Sequence, residues 1–349
     1  MRKKCVPDLC YDTDYAEKEL CVKSVRVLLI SCLLLVLGMP VYAAPASEDV
    51  FKAIVRIRSH VPDEARTAKT LGTEREGYGV VIDAKGTILT IGYLIVEADR
   101  VEVIGPKSEP VRATFAGYDH VTGFGLVRAE NPLGGEPLKL GSSASVKAGD
   151  PVLVLGEGGV KNAGSAYVVK RMEFAAGWEY LLDNAIVTFP AYPDYGGAAL
   201  IGPEGRLLGI GSLLTSVSVP QVGSMACNIF VPIDLLNPIL GDLSADRPRK
   251  AARPWLGINS DEAHGRVFVA QVTAGGPGEK AGLKKDDLII AVKGEPVTGL
   301  ADFYHKVWAL GDAGVEVVMT VLRDTRMQEI RVPSADRNQF LQLRPKRTI

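Results

Sequence analysis

The chain has 349 residues, 47% of them hydrophobic, with 40 Lys and Arg against 41 Asp and Glu, a net charge of −1. That length exceeds one small domain, that apolar content excludes a disordered chain, and the charge balance removes any general attraction to nucleic acid or to an anionic membrane. With four histidines (His60, His120, His264, His305), no H-x-x-x-H pair and no C-x-x-C, zinc-ligand spacing is absent, and neither a metal nor another cofactor is expected.

In chain order, the apolar run Val27–Leu37 follows Lys23 and Arg26 and precedes Val41-Tyr42-Ala43-Ala44. This predicts a secretory signal cleaved after Ala43 and a periplasmic or secreted protein; an uncleaved anchor over residues 27–44 is the alternative. Residues 1–22 carry Cys5, Cys10, Cys21 and five carboxylates, unusual for such a leader and consistent with a start codon placed too far upstream. Removing residues 1–43, which also hold Cys32, leaves Cys227 alone in the apolar run Met225–Val231, so it reads as a buried strand residue without a disulfide partner. The remaining 34 basic and 36 acidic residues keep the balance.

From residue 48 to about 240 the chain reads as short apolar strands between Gly-containing turns, among them 79–82, 87–90, 101–104, 151–155 and 207–210. No long helical period appears, which predicts a β-barrel or sandwich. Residues 80–92 (VVIDAKGTILTIG) and 199–211 (ALIGPEGRLLGIG) share five of 13 positions, suggesting two similar β units. Residues 241–254 suit a linker. After it, strands at 266–272, 287–292 and 316–322 surround an amphipathic segment at 300–310, with Leu300, Phe303, Tyr304, Val307 and Trp308 on one face and Thr298 as candidate N-cap. The tail 334–349 is basic and reads as a solvated end. Trp178, Trp255 and Trp308 stand alone and read as packing anchors. Gly156-Glu-Gly-Gly159 lacks a third glycine at Lys161 and is no dinucleotide loop.

The second unit, residues 255–333, resembles a PDZ domain. Trp255-Leu256-Gly257-Ile258 looks like its carboxylate-binding loop, and Val272–Ile290 looks like its S-P-A-x-x-A-G-L-x-x-G-D-x-I segment, with Asp286 standing at the turn glycine. The resemblance implies that a peptide C-terminus is received by the backbone N–H groups of 255–258 and added as a strand beside 266–272, at Phe268, against the helix.

A PDZ unit behind a secreted β domain resembles the HtrA family of trypsin-like proteases. Gly77–Gly86 looks like G-S-G-x-I-I-x-x-x-G, Val146–Gly156 like V-G-D-x-V-x-A-I-G, and Asp194–Leu200 with Gly205–Ile210 like G-N-S-G-G-P-L and G-x-V-I-G-I. The fold class implied is mainly β: a trypsin-like double six-stranded β-barrel over 48–240, then a small α/β PDZ domain. Three positions depart from the family. Tyr93 stands at the base histidine in Thr90–Val96, Gly123 at the orienting aspartate in Asp119–Leu126, and Gly196 at the nucleophilic serine. Tyrosine is a poor base near neutral pH and glycine can neither orient nor attack; losing such a triad costs on the order of 10⁶ in turnover.

The expectation is a pseudoprotease with no catalytic residue, binding unfolded polypeptides or protein C-termini as scaffold, chaperone-like holder or regulator. The turn at Asp194, Gly196 and Gly197 is a candidate residual oxyanion-type loop. Two alternatives stand: an active HtrA-class endopeptidase in envelope protein quality control, with a displaced triad drawn from His120 and Ser212, Ser216 or Ser218, and a purely structural envelope protein. The resemblance also implies a homo-oligomer, although nothing in residues 44–60 specifies one.

Overall fold

The computed structural model describes residues 48–106, 109–219, 223–245, 252–341 and 343. The signal, its cleavage after Ala43, the alternative anchor and the upstream start lie outside the described residues.

The expected strands form and close into two barrels. Strands β1 (Ile54–His60), β2 (Glu74–Val81), β3 (Thr87–Ile91), β4 (Arg100–Ile104), β5 (Pro110–Tyr118) and β6 (Phe124–Ala129) pair in the order β1-β2-β3-β6-β5-β4 and back to β1. Two short helices, α1 (Glu48–Lys52) and α2 (Ala68–Leu71), flank this first barrel. The second contains β7 (Pro151–Leu155), β8 (Ala163–Ala176), β9 (Tyr180–Phe189), β10 (Ala199–Ile201), β11 (Leu207–Val219) and β12 (Gly223–Pro232) in the ring β10-β11-β12-β9-β8-β7. The apolar residues of these strands are buried on the inner face and, in places, on both faces: Ile57, Ile88, Leu89, Phe124, Leu126, Ile229 and Phe230 are completely buried, each contributing ~1.5–3 kcal/mol by transfer from water. Cys227 is buried on β12, as its apolar surroundings predicted.

The two rings have the same connectivity, so the chain does contain two similar β units. The sequence echo is nevertheless out of register with them. Residues 80–92 fall on the second and third strands of the first barrel, whereas 199–211 fall on the fourth and fifth strands of the second. The shared pattern belongs to strand–turn–strand chemistry, common to any tight hairpin, and not to equivalent places in the two barrels.

The expected linker 241–254 begins inside a helix, α3 (Leu240–Ser244), because Leu243 is buried against the first barrel where Gly117 leaves room for its backbone. Beyond it, β13 (Ile258–Ala263), β14 (Arg266–Val272), β15 (Leu288–Val292), β16 (Glu295–Pro296), β17 (Glu316–Arg323) and β18 (Arg326–Pro333) form a sheet ordered β13-β14-β15-β17-β18, with β16 beside β15. Helix α4 (Pro277–Lys280) follows β14, and α5 (Leu300–Trp308) packs Leu300, Phe303, Tyr304 and Val307 into the sheet's core, the predicted face. Its N-cap is Gly299, not Thr298; Thr298 lies one residue earlier, where its N–H and hydroxyl both reach the Asp302 carboxylate at 2.8 and 3.1 Å. Asp286 takes φ +70°, the left-handed turn that glycine would supply.

The start of the tail is not solvated. Ala335 bridges to Trp255, Asp336 caps helix α6 (Arg337–Phe340) through the Asn338 N–H, and the Phe340 ring lies 4.6 Å from that of Trp255. A large indole next to the chain end is covered by whatever apolar residue the tail offers, and Phe340 supplies it.

Candidate functional site

Tyr93, Gly123 and Gly196 meet at the boundary between the barrels, where β3 faces β11. β3 runs directly into one turn of 3₁₀ helix, Gly92–Leu94, which presents Tyr93. On the other side the turn Asp194–Gly197 precedes β10. It is pinned to the first barrel by the Tyr78 N–H donating to the Gly196 carbonyl at 2.8 Å, and to its own barrel by the Gly197 N–H donating to the Gly211 carbonyl at 2.9 Å. A Cβ on Gly197 would stand 1.9 Å from the Tyr78 carbonyl oxygen, and φ there is +76°, so only glycine fits. Upstream, the Asn228 amide holds both backbone groups of Tyr192 and fixes the approach to the turn.

Tyr93 fills this cleft. Its hydroxyl donates to the Ser212 carbonyl at 3.0 Å and lies 2.9 Å from where a Cβ on Gly196 would be. Burial raises its pKa far above the ordinary phenol range, so the hydroxyl stays protonated. Gly123 joins the same cleft through its carbonyl, which accepts the Gly92 N–H at 2.7 Å. Its own N–H donates to the Asp119 carbonyl, and the Asp119 carboxylate accepts the Thr122 N–H and hydroxyl, so local side-chain-to-backbone bonds shape this loop. Imidazole, carboxylate and serine hydroxyl are absent from these three positions.

The residues of a displaced triad do not assemble here. His120 is buried and lines a small cavity with Glu179, Trp255 and Arg337, on the side of the third sheet. Ser212 is buried with its carbonyl taken by Tyr93, while Ser216 and Ser218 lie exposed further along β11. Within the candidate oxyanion-type loop of Asp194, Gly196 and Gly197, the Gly197 N–H is spent on the Gly211 carbonyl.

In the third sheet, Trp255-Leu256-Gly257-Ile258 leads directly into β13, and β13 is the edge strand of the sheet. The expectation that a peptide adds beside 266–272 is therefore corrected. β14 pairs with β13 on one side and β15 on the other, so its ladder is already used; Phe268 is half-buried between Asp261 and Leu288. The edge of the sheet belongs to 258–263.

A trypsin-like peptidase domain matches residues 77–210 and a PDZ domain matches residues 254–333. In joining these two domains in this order the chain resembles the HtrA-type family. Among its curated HtrA-type relatives, a probable periplasmic serine endoprotease DegP-like of Pseudomonas fluorescens is 28% identical over 310 residues, covering 83% of this chain and 62% of the relative. The DegP-like relative of Pseudomonas putida is 28% identical over 295 residues, 79% of this chain and 58% of that one. The chain thus spans about three fifths of the length of the curated relatives it matches. Among solved HtrA-type structures, the protease AlgW with a decapeptide superposes with TM-score 0.50 at 19% identity, over 85% of this chain and 99% of that one. AlgW with a tripeptide does so with TM-score 0.50 at 19% identity, over 84% and 96%. These two likenesses concern the fold.

Against that HtrA-type pattern, two residues that carry the site were not visible in the sequence. Arg75, buried, donates to the carbonyls of Tyr93 at 2.8 Å and Val96 at 3.0 Å and so holds the 3₁₀ turn in place; burial lowers its pKa to about 10, with Glu97 opposing. Glu179, at the tip of the β8–β9 hairpin, places its carboxylate on the Trp255–Ile258 loop: it accepts the N–H groups of Leu256 at 2.7 Å, Gly257 at 2.8 Å and Ile258 at 3.1 Å. Neither residue sits in a motif, and both reach their partners only through the fold. Of the isolated tryptophans, Trp255 is buried against Phe340 and Trp308 stacks on Tyr304 at 5.2 Å, as packing anchors do, whereas Trp178 stacks on Tyr180 at 6.1 Å but stays 40% exposed.

Proposed function

We propose that this protein is a periplasmic HtrA-type pseudoprotease that binds unfolded polypeptides or protein C-termini through its PDZ groove, as a scaffold, chaperone-like holder or regulator. This reading takes residues 48–240 and 255–333 as the two domains and Tyr93, Gly123 and Gly196 as the positions of base, orienting carboxylate and nucleophile. The observation that carries it is the Tyr93 hydroxyl, bonded to Ser212 and set 2.9 Å from the Cβ position of Gly196. A protonated phenol with its proton given to a carbonyl can take no proton from a nucleophile, and no nucleophile faces it. The periplasmic assignment rests on the apolar run Val27–Leu37 and on the names of the relatives. Peptide binding rests on the PDZ match and on the edge strand beside a loop of convergent N–H groups.

The names of those relatives favour a second reading, an active endopeptidase in envelope protein quality control. Incubating the chain from Ala44 onward with a reduced, unfolded protein separates the two. The pseudoprotease reading expects no cleavage, with retention of the unfolded protein on the column-bound chain. Cleavage that co-purifies with the chain through repeated purification would overturn it.

A further inference from the structure

The PDZ loop that would receive a peptide carboxylate already holds one, supplied by the same chain. Glu179 is buried and its two carboxylate oxygens take all three N–H groups of Leu256, Gly257 and Ile258. The rest of the hairpin tip follows it into the groove. The Gly177 carbonyl accepts the N–H of Ser260, on the edge strand β13, at 2.8 Å. Gly177 comes so close that a Cβ on it would stand 2.2 Å from the Ser260 carbonyl oxygen. From the helix side, the Tyr304 hydroxyl donates to the Ala176 carbonyl at 2.8 Å and accepts the Glu179 N–H at 3.1 Å. Leu181 leaves the second barrel's core and is buried in that of the third sheet, with Leu256, Ile258, Phe303 and Tyr304. At the rim, His305 of α5 meets Glu173 of β8 at 2.7 Å. A carboxylate on the loop, a carbonyl paired to the edge strand and an aliphatic side chain in the apolar core are the three elements by which an extended peptide end would engage such a groove.

We propose that the 176–181 hairpin tip is a built-in ligand of the PDZ groove, with Glu179 standing in for a terminal carboxylate, so that an external C-terminus binds only by displacing it. This rests on the reading of the groove as a peptide site. The two occupants use the same N–H groups and cannot be bound together, so the apparent affinity for an external peptide is reduced by the fraction of molecules in which Glu179 is docked. Displacement also releases the second barrel from the third sheet at its main polar contact, which couples peptide binding to the freedom of the PDZ domain.

The test uses the full mature chain, wild type and the variants Glu179→Gln and Glu179→Ala, each checked for folding by thermal melting. Amide hydrogen exchange is followed at Leu256, Gly257, Ile258 and Ser260. Peptide binding is titrated with a pool of decapeptides ending in Leu, Val or Phe, with free carboxylates and with C-terminal amides as control. Slow exchange at the four amides in the wild type, faster exchange in both variants, and free-carboxylate binding at least about tenfold tighter in the variants support the proposal. Fast exchange in the wild type, or equal peptide affinity in all three chains, overturns the built-in ligand while leaving the groove a peptide site. Slow wild-type exchange with no peptide bound by any chain overturns both, and identifies the contact as fixed domain packing. Should the alanine variant not fold, the glutamine variant and the wild-type exchange rates decide.

Discussion

The hydroxyl oxygen of Tyr93 lies 2.9 Å from the position a Cβ on Gly196 would take, closer than side-chain carbons tolerate. A serine placed at 196 therefore meets a phenol that is itself held by Ser212 at 3.0 Å. Gly196→Ser alone is expected to destabilise the fold by about 1–2 kcal/mol through overpacking. Tyr93→His with Gly196→Ser should recover most of that, since the shorter imidazole vacates the space. Chemical denaturation of the two variants checks this; equal loss in both would show that Tyr93 is not the obstacle.

Introducing a carboxylate at 123 carries its own cost. Gly123 has φ +82°, and its Cβ would come 3.3 Å from both Ile91 Cδ1 and the Tyr180 hydroxyl, which donates to the Thr122 carbonyl at 2.8 Å. Gly123→Asp is expected to destabilise by about 1–2 kcal/mol from the left-handed backbone, with a further contribution from crowding. The full restoration Tyr93→His, Gly123→Asp, Gly196→Ser should accordingly be less stable than wild type. A triple variant as stable as the parent in denaturant titration would refute this account of the loop.

Arg75 is the residue on which the Tyr93 turn leans. Four acceptors, the carbonyls of Gly72, Tyr93 and Val96 and the Thr67 hydroxyl, are bound by its guanidinium. Arg75→Met keeps the apolar stem and leaves those acceptors without their donor, at an expected cost of about 3 kcal/mol. Arg75→Lys should recover only part, because a point charge cannot span the fork. Urea midpoints for the two variants give the comparison.

The docked hairpin should respond to pH through Glu179. Burial pushes its carboxyl up from an ordinary value near 4.5 to about 7, while the N–H groups of Leu256, Ile258 and Gly257 and the Arg337 guanidinium pull the other way. Tyr304 also faces it, and His120, Arg253 and Arg337 line the same small cavity. The docked state therefore binds this proton more tightly than the released state, whose carboxyl titrates near 4.5. Docking is strongest below about 4.5, weakens as pH rises to about 7, and is flat above that. Amide exchange at Leu256–Ile258, corrected for its intrinsic pH dependence, should accelerate across that window in wild type and not in Glu179→Gln. The opposite slope would mean that the three N–H donors outweigh burial and hold the anion.

Much of this molecule is legible in its residues, for reasons that are local. Alternating or continuous apolar runs bounded by glycine turns place β3, β7, β14 and β17 within a residue or two, because side-chain burial in a strand repeats every second position or covers both faces. Trp255–Ile258 and Val272–Ile290 identify the PDZ unit by turn and loop chemistry contained in a few neighbouring residues. What misled was also local: Thr298 has the composition of an N-cap but lies one residue too early, and the tail 334–341 has the composition of a solvated end but meets an uncovered indole. The strand 266–272 reads as available for a peptide because the order of strands in a sheet is not written in any one strand.

The sequence by itself determined the two barrels, the PDZ unit and the residue types at positions 93, 123 and 196, where no imidazole, carboxylate or hydroxyl of a serine stands. Tertiary structure alone decided that Tyr93 fills the cleft by reaching Ser212, 119 residues away, and that Glu179 occupies the loop at Leu256, 77 residues away. The reason is physical. Periodicity and turn preference arise between neighbours along the chain, whereas a hydrogen bond across a domain boundary depends only on which surfaces the packed cores bring within 3 Å.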